Sequence, residues 1–352
     1  MVSDALPIRA YEEVTNASAL TLTLTGINVA NTSDVISAAL HYAIGPNSVV
    51  VSKNGSMVYA SEFVNGAPTI AIFHVTATGL VADGTVTLPT TGMALPSLGS
   101  VGGSIELALT PDGSTLFATL NYSGPTVKQD AHWQNGTAPG FIFQVNLATD
   151  AAEALTGSVI ANPSGVVVSP DGKRVYVATD DQSYILDFPV GTTALDTSNE
   201  ITAGIVSNPH PGLAIDPAGT VLYIGNENAG SVTALTLSNL DHSTPVTQQS
   251  QIYGVAVSMD GSHLFFVNGS ANTVSSYNPD GSGGVTQSAI SGAIGLGISP
   301  NNTSLYVSQI ATSSPNLTTI LNPVVFTATP STVTIDGGSG FGGSETVGNF
   351  VG

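Results

Sequence analysis

Short apolar runs alternate with polar turns along most of the chain, and one arrangement of them recurs. An apolar stretch is followed by a turn of the Ser-Pro-Asp-Gly type and then by a second stretch that often reads Leu-Tyr-Val. The copies begin at Val49, Glu106, Gly165, Gly212, Gly254 and Gly295. The turn residues are Gly55, Gly113, Gly172, Gly219, Gly261 and Asn302. Their spacing of roughly 40 to 60 residues is the size of one propeller blade.

One copy shows how a unit folds. Gly165–Ser169 is predicted to be a strand, Pro170–Gly172 a tight turn in which glycine takes a positive φ, and Val175–Ala178 the returning strand. A third and a fourth strand complete an antiparallel meander. The first strand is apolar at consecutive positions, which is typical of a strand buried on both faces. The pattern predicts a single all-β domain, a seven-bladed β-propeller of four-stranded antiparallel blades.

Six repeats and the two termini define the predicted units. Their limits lie near 45–104, 105–160, 161–207, 208–250, 251–291 and 292–324. Residues 1–44 and 325–352 carry the repeat only faintly, and we expect them to form a composite last blade closed by both termini, which would remove the open sheet edges. Six or eight blades are the alternatives.

Three segments carry a resemblance to a known family. They are SPDGKRVYVATD from Ser169, DPAGTVLYIGNENAGSVTAL from Asp216 and YEEVTN from Tyr11. They resemble the YVTN-repeat and lactonase-like propellers over roughly residues 45–310. That family includes sugar-lactone hydrolases, a muconate-lactonizing branch and surface or scaffold proteins, so the resemblance implies a fold more narrowly than a function.

The charge of the chain limits the classes of molecule that it is expected to bind. Five Lys and Arg stand against 24 Asp and Glu, a net charge of -19, so nucleic acid and anionic membranes are unfavourable partners. Met1–Glu13 lacks the apolar core of a signal peptide, and no apolar run is long enough to span a membrane. The acidic, Ser- and Thr-rich composition favours an extracytoplasmic or secreted mature chain without its signal peptide. We expect a small-molecule ligand and a monomer rather than an obligate oligomer.

The top of the central channel is where chemistry is predicted. Glu106 breaks a column of Gly and Ser at the start of the first strands, and a buried carboxylate there is a candidate general base. His210 and His41 precede other first strands and are the further catalytic candidates. In the phosphogluconolactonase-like branch the position of Glu106 carries a His that follows an Arg. Both are missing here, which argues against a phosphosugar. The alternative for Glu106 is a structural role.

A column of oxygen donors follows the second strands. Glu62, Asn226 and Asn268 lie seven residues past their turns and are the predicted metal ligands, with Ca²⁺ as the candidate ion. The alternative is that these Asn residues end strands through local Asx turns.

A long insertion between Asn121 and Phe141 is predicted to lie at the same end. It contains His132 and Trp133, the only Trp of the chain, and suits a lid over a ligand. Asp180, Glu227 and Tyr253 complete the predicted ligand-binding set. An ordered loop whose Trp packs on a neighbouring blade is the alternative.

Two functions follow from these residues. The first is a lactonase-like enzyme, a hydrolase or isomerase acting on a small cyclic ester or related neutral ligand at the channel mouth. The second is a non-catalytic extracytoplasmic binding or surface-scaffold propeller. The sequence has no Gly-x-Ser-x-Gly elbow, His-Glu-x-x-His pair or phosphate loop, so serine-hydrolase, zinc-protease and nucleotide chemistry are not supported.

Overall fold

A computed structural model describes most of the repeat region and short stretches of both termini. The described residues are 9–16, 21–28, 35–40, 48–64, 67–90, 104–121, 140–157, 160, 163–179, 184–202, 209–227, 229–247, 251–287, 293–298, 302, 304–309, 316–321 and 331–334.

The first three sheets come from the N-terminal half. The N-terminal sheet has three antiparallel strands, which are β1 Arg9–Asn16, β2 Thr21–Asn28 and β3 Val35–Leu40. Sheet I contains β4 Val49–Val51, β5 Met57–Val64, β6 Ala67–Val75 and β7 Leu80–Thr87. Sheet II contains β8 Ser104–Leu109, β9 Thr115–Asn121, β10 Gly140–Asn146 and β11 Ala151–Ala154. A two-residue strand, β12 Thr156–Gly157, follows sheet II.

Four more four-stranded antiparallel sheets follow. Sheet III contains β13 Pro163–Val168, β14 Arg174–Thr179, β15 Ile185–Pro189 and β17 Glu200–Ile201. Two short elements precede β17. They are β16 Ala194–Leu195, which pairs in parallel with β12, and a 3₁₀ turn at Thr197–Asn199. Sheet IV contains β18 Pro209–Ile215, β19 Val221–Asn226, β20 Ser231–Thr236 and β21 His242–Val246. Sheet V contains β22 Ile252–Val257, β23 Leu264–Asn268, β24 Thr273–Tyr277 and β25 Val285–Gln287. Sheet VI contains β26 Ala293–Ile298, β27 Ser304–Gln309, β28 Asn316–Leu321 and β29 Ser331–Thr334.

The predicted turns join the first two strands of each four-stranded sheet. In sheet II, Gly113 has φ +72° and its N–H donates to Thr110 O at 2.8 Å. The Asp112 carboxylate accepts from the Thr110 hydroxyl at 2.6 Å and from the Ser114 N–H at 3.0 Å. These bonds, the Thr110 hydroxyl first, hold the pKa of Asp112 below its ordinary value. A positive φ strains other residues, which explains why glycine recurs at this position.

Neighbouring turns touch one another in chain order. A Cβ atom added to Gly172 would lie 3.5 Å from Cδ of Pro111, and one added to Gly219 would lie 3.3 Å from Cδ of Pro170. At the far side, the Met259 N–H donates to Asn302 Oδ1 at 2.7 Å. The turns of these sheets therefore follow one another along a single end of the molecule, which we call the turn end.

The hydrophobic core lies between successive sheets. One cluster joins sheets II and III through Phe117 and Phe188, whose ring centroids are 6.2 Å apart. Similar clusters join sheet I to II, III to IV, IV to V and V to VI. Leu40 of the N-terminal sheet packs against the core of sheet I. Because both faces of these strands are covered, they lack the alternation of a half-exposed sheet. The chain has an all-β, propeller-like fold.

The C-terminal strand differs from the predicted composite blade. β29 pairs with β28 and so supplies the fourth strand of sheet VI, which extends that unit beyond residue 324. The N-terminal residues pair among themselves as β1–β2–β3. Residues 335–352 lie outside the described residues, so closure by both termini stays a prediction. Within the described part of the chain, no helix has the length and apolar character needed to cross a membrane.

Candidate functional site

Backbone irregularities cluster at the end opposite the turns, which we call the top end, where first strands begin and second strands end. Register shifts occur between Pro163 and Val166, between Pro209 and Leu213, between Ile252 and Val255, and between Ala293 and Gly295. The described pairs of β4 and β8 contain no such shift. Bulges bend a strand and re-aim side chains, and they are common beside binding sites. Sheets III to VI therefore share a modified top end.

Two predicted site residues fall in adjacent bulges. The backbone of His210 lies within the shifted stretch of β18, and Tyr253 lies within that of β22. The two strands approach closely here, because a Cβ atom added to Gly212 would lie 2.7 Å from Tyr253 O. Only glycine allows this approach without a shift of the backbone. The backbones of both residues therefore lie at the top end.

A polar network joins sheets IV and V at this end. Gln251 Nε2 donates to Glu227 Oε1 at 3.1 Å, and Gln251 Oε1 accepts from the Tyr253 hydroxyl at 3.1 Å. The Ser270 hydroxyl also donates to Gln251 Oε1. Two predicted ligand-binding residues, Glu227 and Tyr253, are therefore linked through one amide. We call Glu227, Gln251, Tyr253 and Ser270 the Gln251 network.

Packing holds the tyrosine of this network in place. A Cβ atom added to Gly269 would lie 1.9 Å from Cε2 of Tyr253, so the ring lies directly against the glycine backbone. Burial, followed by the negative charge of Glu227, raises the pKa of Tyr253 above its ordinary value. The phenol therefore stays protonated at neutral pH and acts as a neutral hydrogen-bonding group.

Glu106 lies between sheets rather than on an open mouth. It is 5% exposed and stands opposite Thr119 in the β8–β9 register. Ala108 and Phe117 form the next pair on that face and belong to the core between sheets II and III. The Thr119 hydroxyl donates across to Ser164 O of sheet III. Glu106 is thus a buried carboxyl group beside the bulge of β13.

Glu62 faces a different pair of sheets. It is 1% exposed and alternates along β5 with Ser61, whose hydroxyl donates to Ile105 O of sheet II at 3.1 Å. Successive side chains of a strand point to opposite faces, so Glu62 lies on the side of Val58 and Ala60. Those residues belong to the core that contacts the N-terminal sheet.

The two predicted asparagine ligands make local hydrogen bonds. Asn226 Nδ2 donates to Thr233 Oγ1 at 3.0 Å and to Ser231 Oγ at 3.2 Å, both within sheet IV. Asn268 Oδ1 accepts from the Ala271 N–H at 3.2 Å, a local bond to the turn that follows β23.

These placements bear on the predicted calcium site. Glu62, Asn226 and Asn268 belong to sheets I, IV and V, and the described hydrogen bonds of Asn226 are made within sheet IV. Among the residues that the structure describes, no three His, Asp or Glu side chains are grouped so that they could hold a metal ion. We therefore derive no chemical step through calcium.

Four predicted residues lie outside the described residues, namely His41, His132, Trp133 and Asp180. The attachment of the insertion is described, because Asn121 at the end of β9 pairs with Gly140 at the start of β10. Both positions are at the top end of sheet II, next to the strand that carries Glu106.

Charge is unequally distributed along sheets I to VI. The lysines and arginine described there, Lys53, Lys173 and Arg174, all lie at the turn end. Arg174 Nε pairs with Asp187 at 2.6 Å, and Lys173 lies 3.4 Å from Asp171. The top end carries Glu62, Glu106 and Glu227. It thus disfavours an anionic ligand.

Gln251 was missed by the sequence reasoning. It lies directly before β22, outside the positions that were compared between repeats. Its role depends on a hydrogen bond to Glu227, which follows a strand of another sheet. The sequence offered one signal for Gln251, namely that this polar residue stands directly before a first strand that begins Ile-Tyr-Gly.

Comparison with known proteins supports the fold. No protein-family model matches the chain, and no curated protein matches it either. Among solved structures, a "functionally unknown protein" from Desulfotomaculum acetoxidans DSM 771 is 13% identical with TM-score 0.66, covering 97% of this chain and 99% of the other. A "putative 6-phosphogluconolactonase" from Bacteroides uniformis ATCC 8492 is 15% identical with TM-score 0.63, covering 94% and 98%. Hydrazine synthase of Kuenenia stuttgartiensis is 17% identical with TM-score 0.58, covering 82% and 80%. At these identities the likeness is one of fold, and the chain is similar to proteins with a propeller-like arrangement of antiparallel sheets.

Proposed function

We propose that this protein is a lactonase-like propeller enzyme that binds a small neutral cyclic ester at the top end, between sheets IV and V. The observation that carries the proposal is the Gln251 network, in which a carboxylate, an amide and two hydroxyl groups converge beside two bulged strands. Such convergent polar groups fix the orientation of a small ligand.

The chemistry assigned to the site is hydrolysis of the ester. A general base takes a proton from water as the water oxygen attacks the carbonyl carbon; the ring C–O bond then breaks, and the leaving oxygen takes up a proton. His210, whose backbone lies in the irregular stretch of β18 next to that of Tyr253 in β22, is the candidate base. Glu106, the other predicted base, lies between sheets II and III and is assigned no step at this site. The Tyr253 hydroxyl, which donates to Gln251 Oε1, would turn its single proton to the carbonyl oxygen as negative charge develops there, while Ser270 still donates to Gln251.

The charge distribution supports a neutral substrate. The described Lys and Arg residues of sheets I to VI lie at the turn end, whereas Glu227 belongs to the proposed site. A phosphate group would meet a carboxylate there without a described cation to balance it. One structural neighbour is named for a phosphorylated lactone. We therefore take from it the type of reaction, the opening of a cyclic ester, and not the phosphorylated substrate.

A non-catalytic binding or scaffold propeller is the second candidate. It is favoured by the local hydrogen bonds of Asn226 and Asn268, which give the predicted metal residues a structural role.

The number of blades is part of the same proposal. We propose a seven-bladed ring in which the N-terminal sheet lies beside sheet VI. An extracytoplasmic monomer is the proposed context, supported by the acidic composition.

One experiment separates the functions. The full chain is incubated with δ-valerolactone, glucono-δ-lactone and 6-phosphogluconolactone, and acid release and melting temperature are both measured. The enzyme proposal expects faster turnover of the neutral lactones than of the phosphorylated one, and loss of turnover in His210→Ala. A rise in melting temperature without turnover supports a binding protein. Absence of both effects would overturn the small-ligand proposal.

Calcium is tested in the same assay. No step of the proposed hydrolysis uses a metal ion, so we expect that excess chelator leaves turnover and melting temperature unchanged. A calcium-dependent rise in melting temperature would instead revive the metal prediction.

A further inference from the structure

A cavity lies at the turn end, on the opposite side from the proposed lactone site. Its volume is about 390 Å³, which falls within the roughly 300 to 1,000 Å³ usual for small-molecule sites. First strands of all six four-stranded sheets contribute to its wall. The cavity is therefore formed by the repeat itself and by none of the residues assigned to the top end.

The repeat places rings of equivalent residues around this cavity. Five residues before each turn residue, the side chains are small; they are Val50, Ala108, Val167, Ala214, Ala256 and Gly297. The next position is a branched aliphatic residue in every sheet, as in Leu109 and Ile298. At the mouth stand Lys53, Pro111, Pro170, Pro217 and Met259. Small side chains thus keep the inner ring open, and aliphatic ones make its wall apolar.

The wall also offers backbone hydrogen-bonding groups. Each of these first strands is the edge strand of its sheet, so one edge is not paired within the sheet. Such an edge presents N–H and C=O groups to whatever lies beside it. A ligand in the cavity would therefore meet methyl groups together with a few amide donors and acceptors.

The apolar wall disfavours an ion of either sign. Among the described residues that line the cavity, Lys53 is the one charged side chain. Asp112, Asp171 and Asp260 directly follow three of the mouth residues, and their carboxylates disfavour an anion. Their hydrogen bonds within the turns hold their pKa values low, which keeps them charged at neutral pH.

We propose that this cavity is a binding site for a small neutral aliphatic molecule with a single polar oxygen, such as a medium-chain alcohol. The alkyl chain lies along the ring of small side chains, and the oxygen bonds to an unpaired edge of a first strand or remains at the mouth. The proposal rests on the cavity alone and does not depend on the lactonase function.

Other repeats show which larger side chain can occupy these positions, and this suggests a variant that fills the cavity. The double substitution Ala214→Val with Ala256→Val copies the side chains present at Val50 and Val167 of the same ring. We therefore expect the double variant to fold, which circular dichroism and the melting temperature check. Ala82→Val makes the same chemical change on the exposed outer strand of sheet I and is the matched control.

Isothermal titration calorimetry of the full chain with 1-octanol, octanoate and octylamine tests the proposal. Saturable 1:1 binding of 1-octanol is expected for the wild type and for Ala82→Val, with at least ~10-fold weaker binding to the double valine variant. No saturable heat in the wild type, or equal affinity in the double variant, would overturn the site. Tighter binding of octanoate or octylamine would overturn the neutral class of ligand. Each of these results leaves the lactone assay unaffected.

Discussion

Removal of the Tyr253 hydroxyl tests the Gln251 network in a single step. Tyr253→Phe deletes the donor that lies 3.1 Å from Gln251 Oε1 and retains the ring that packs on Gly269. A net intramolecular hydrogen bond contributes about 0.5 to 1.5 kcal/mol. Ser270 still donates to the same oxygen, so Gln251 is not left without a donor, and the cost should lie near the lower value.

The amide itself should matter more than the phenol. Gln251→Ala removes the contacts to Glu227, Tyr253 and Ser270 together, and about 1 to 3 kcal/mol of unfolding free energy is expected to be lost. If Tyr253 acts through Gln251, the double variant Gln251→Ala with Tyr253→Phe should cost less than the sum, by roughly 0.5 kcal/mol or more.

Urea unfolding measures these differences, with the midpoint compared at an unchanged slope. Tyr277→Phe is the matched control, because Tyr277 is a half-exposed tyrosine of the same sheet whose ring packs on Phe266. Tyr253→Phe should also weaken lactone binding, whereas Tyr277→Phe should not. Equal costs for the two tyrosine variants, with full additivity between Tyr253 and Gln251, would refute the network.

Three further predictions concern packing, acid stability and the joint between sheets. Gly269→Ala should displace the Tyr253 ring, lower the melting temperature by a few degrees and reduce lactone binding; Gly79→Ala, where an added Cβ meets nothing within 4 Å, should do neither in the same thermal scan. The Ser258 and Ser262 bonds hold the pKa of Asp260 at about 2, so its contribution to stability is present above pH ~4 and is lost as pH falls toward 2. Asp260→Asn, which copies the bonding of Asn54, should therefore flatten unfolding free energy against pH in that range, and an unchanged slope would contradict the assignment. Thr119→Val removes the buried bond to Ser164 O and should cost about 1 to 2 kcal/mol in urea unfolding, while Thr119→Ser restores most of it; equal losses in the two variants would argue against the bond.

The repeat was predictable because its turns are under a strong local constraint. Glycine at positive φ, preceded by a Ser or Thr and an Asp that bond to one another, is visible in sequence at Gly113 and Gly172. Once these turns are aligned, the first and second strands follow from chain length alone. The described strands lie where that alignment places them.

The ring of donors stays a prediction, because counting along a strand does not show which face of the sheet each residue takes. Ser61 and Glu62 are neighbours in sequence, yet Ser61 bonds to sheet II and Glu62 faces the N-terminal sheet. A column of positions in the sequence therefore does not by itself define one coordination set.

Bulges and pairing between distant segments also limited what the sequence could predict. The extra residues in β18 and β22 leave no mark in the apolar pattern, and they decide the position of His210 and Tyr253. The pairing of β29 with β28 links segments with weak repeat character, so sequence favoured the N-terminal strands as partners for this region.

Co-crystallisation with 2-piperidone, the unreactive lactam analogue of δ-valerolactone, tests the central claim most directly. The account predicts density for the ring at the top end between sheets IV and V, with its carbonyl or N–H within hydrogen-bonding distance of Tyr253 or Gln251. A crystal at saturating lactam with no density there, or with the ligand bound at another place, would contradict it.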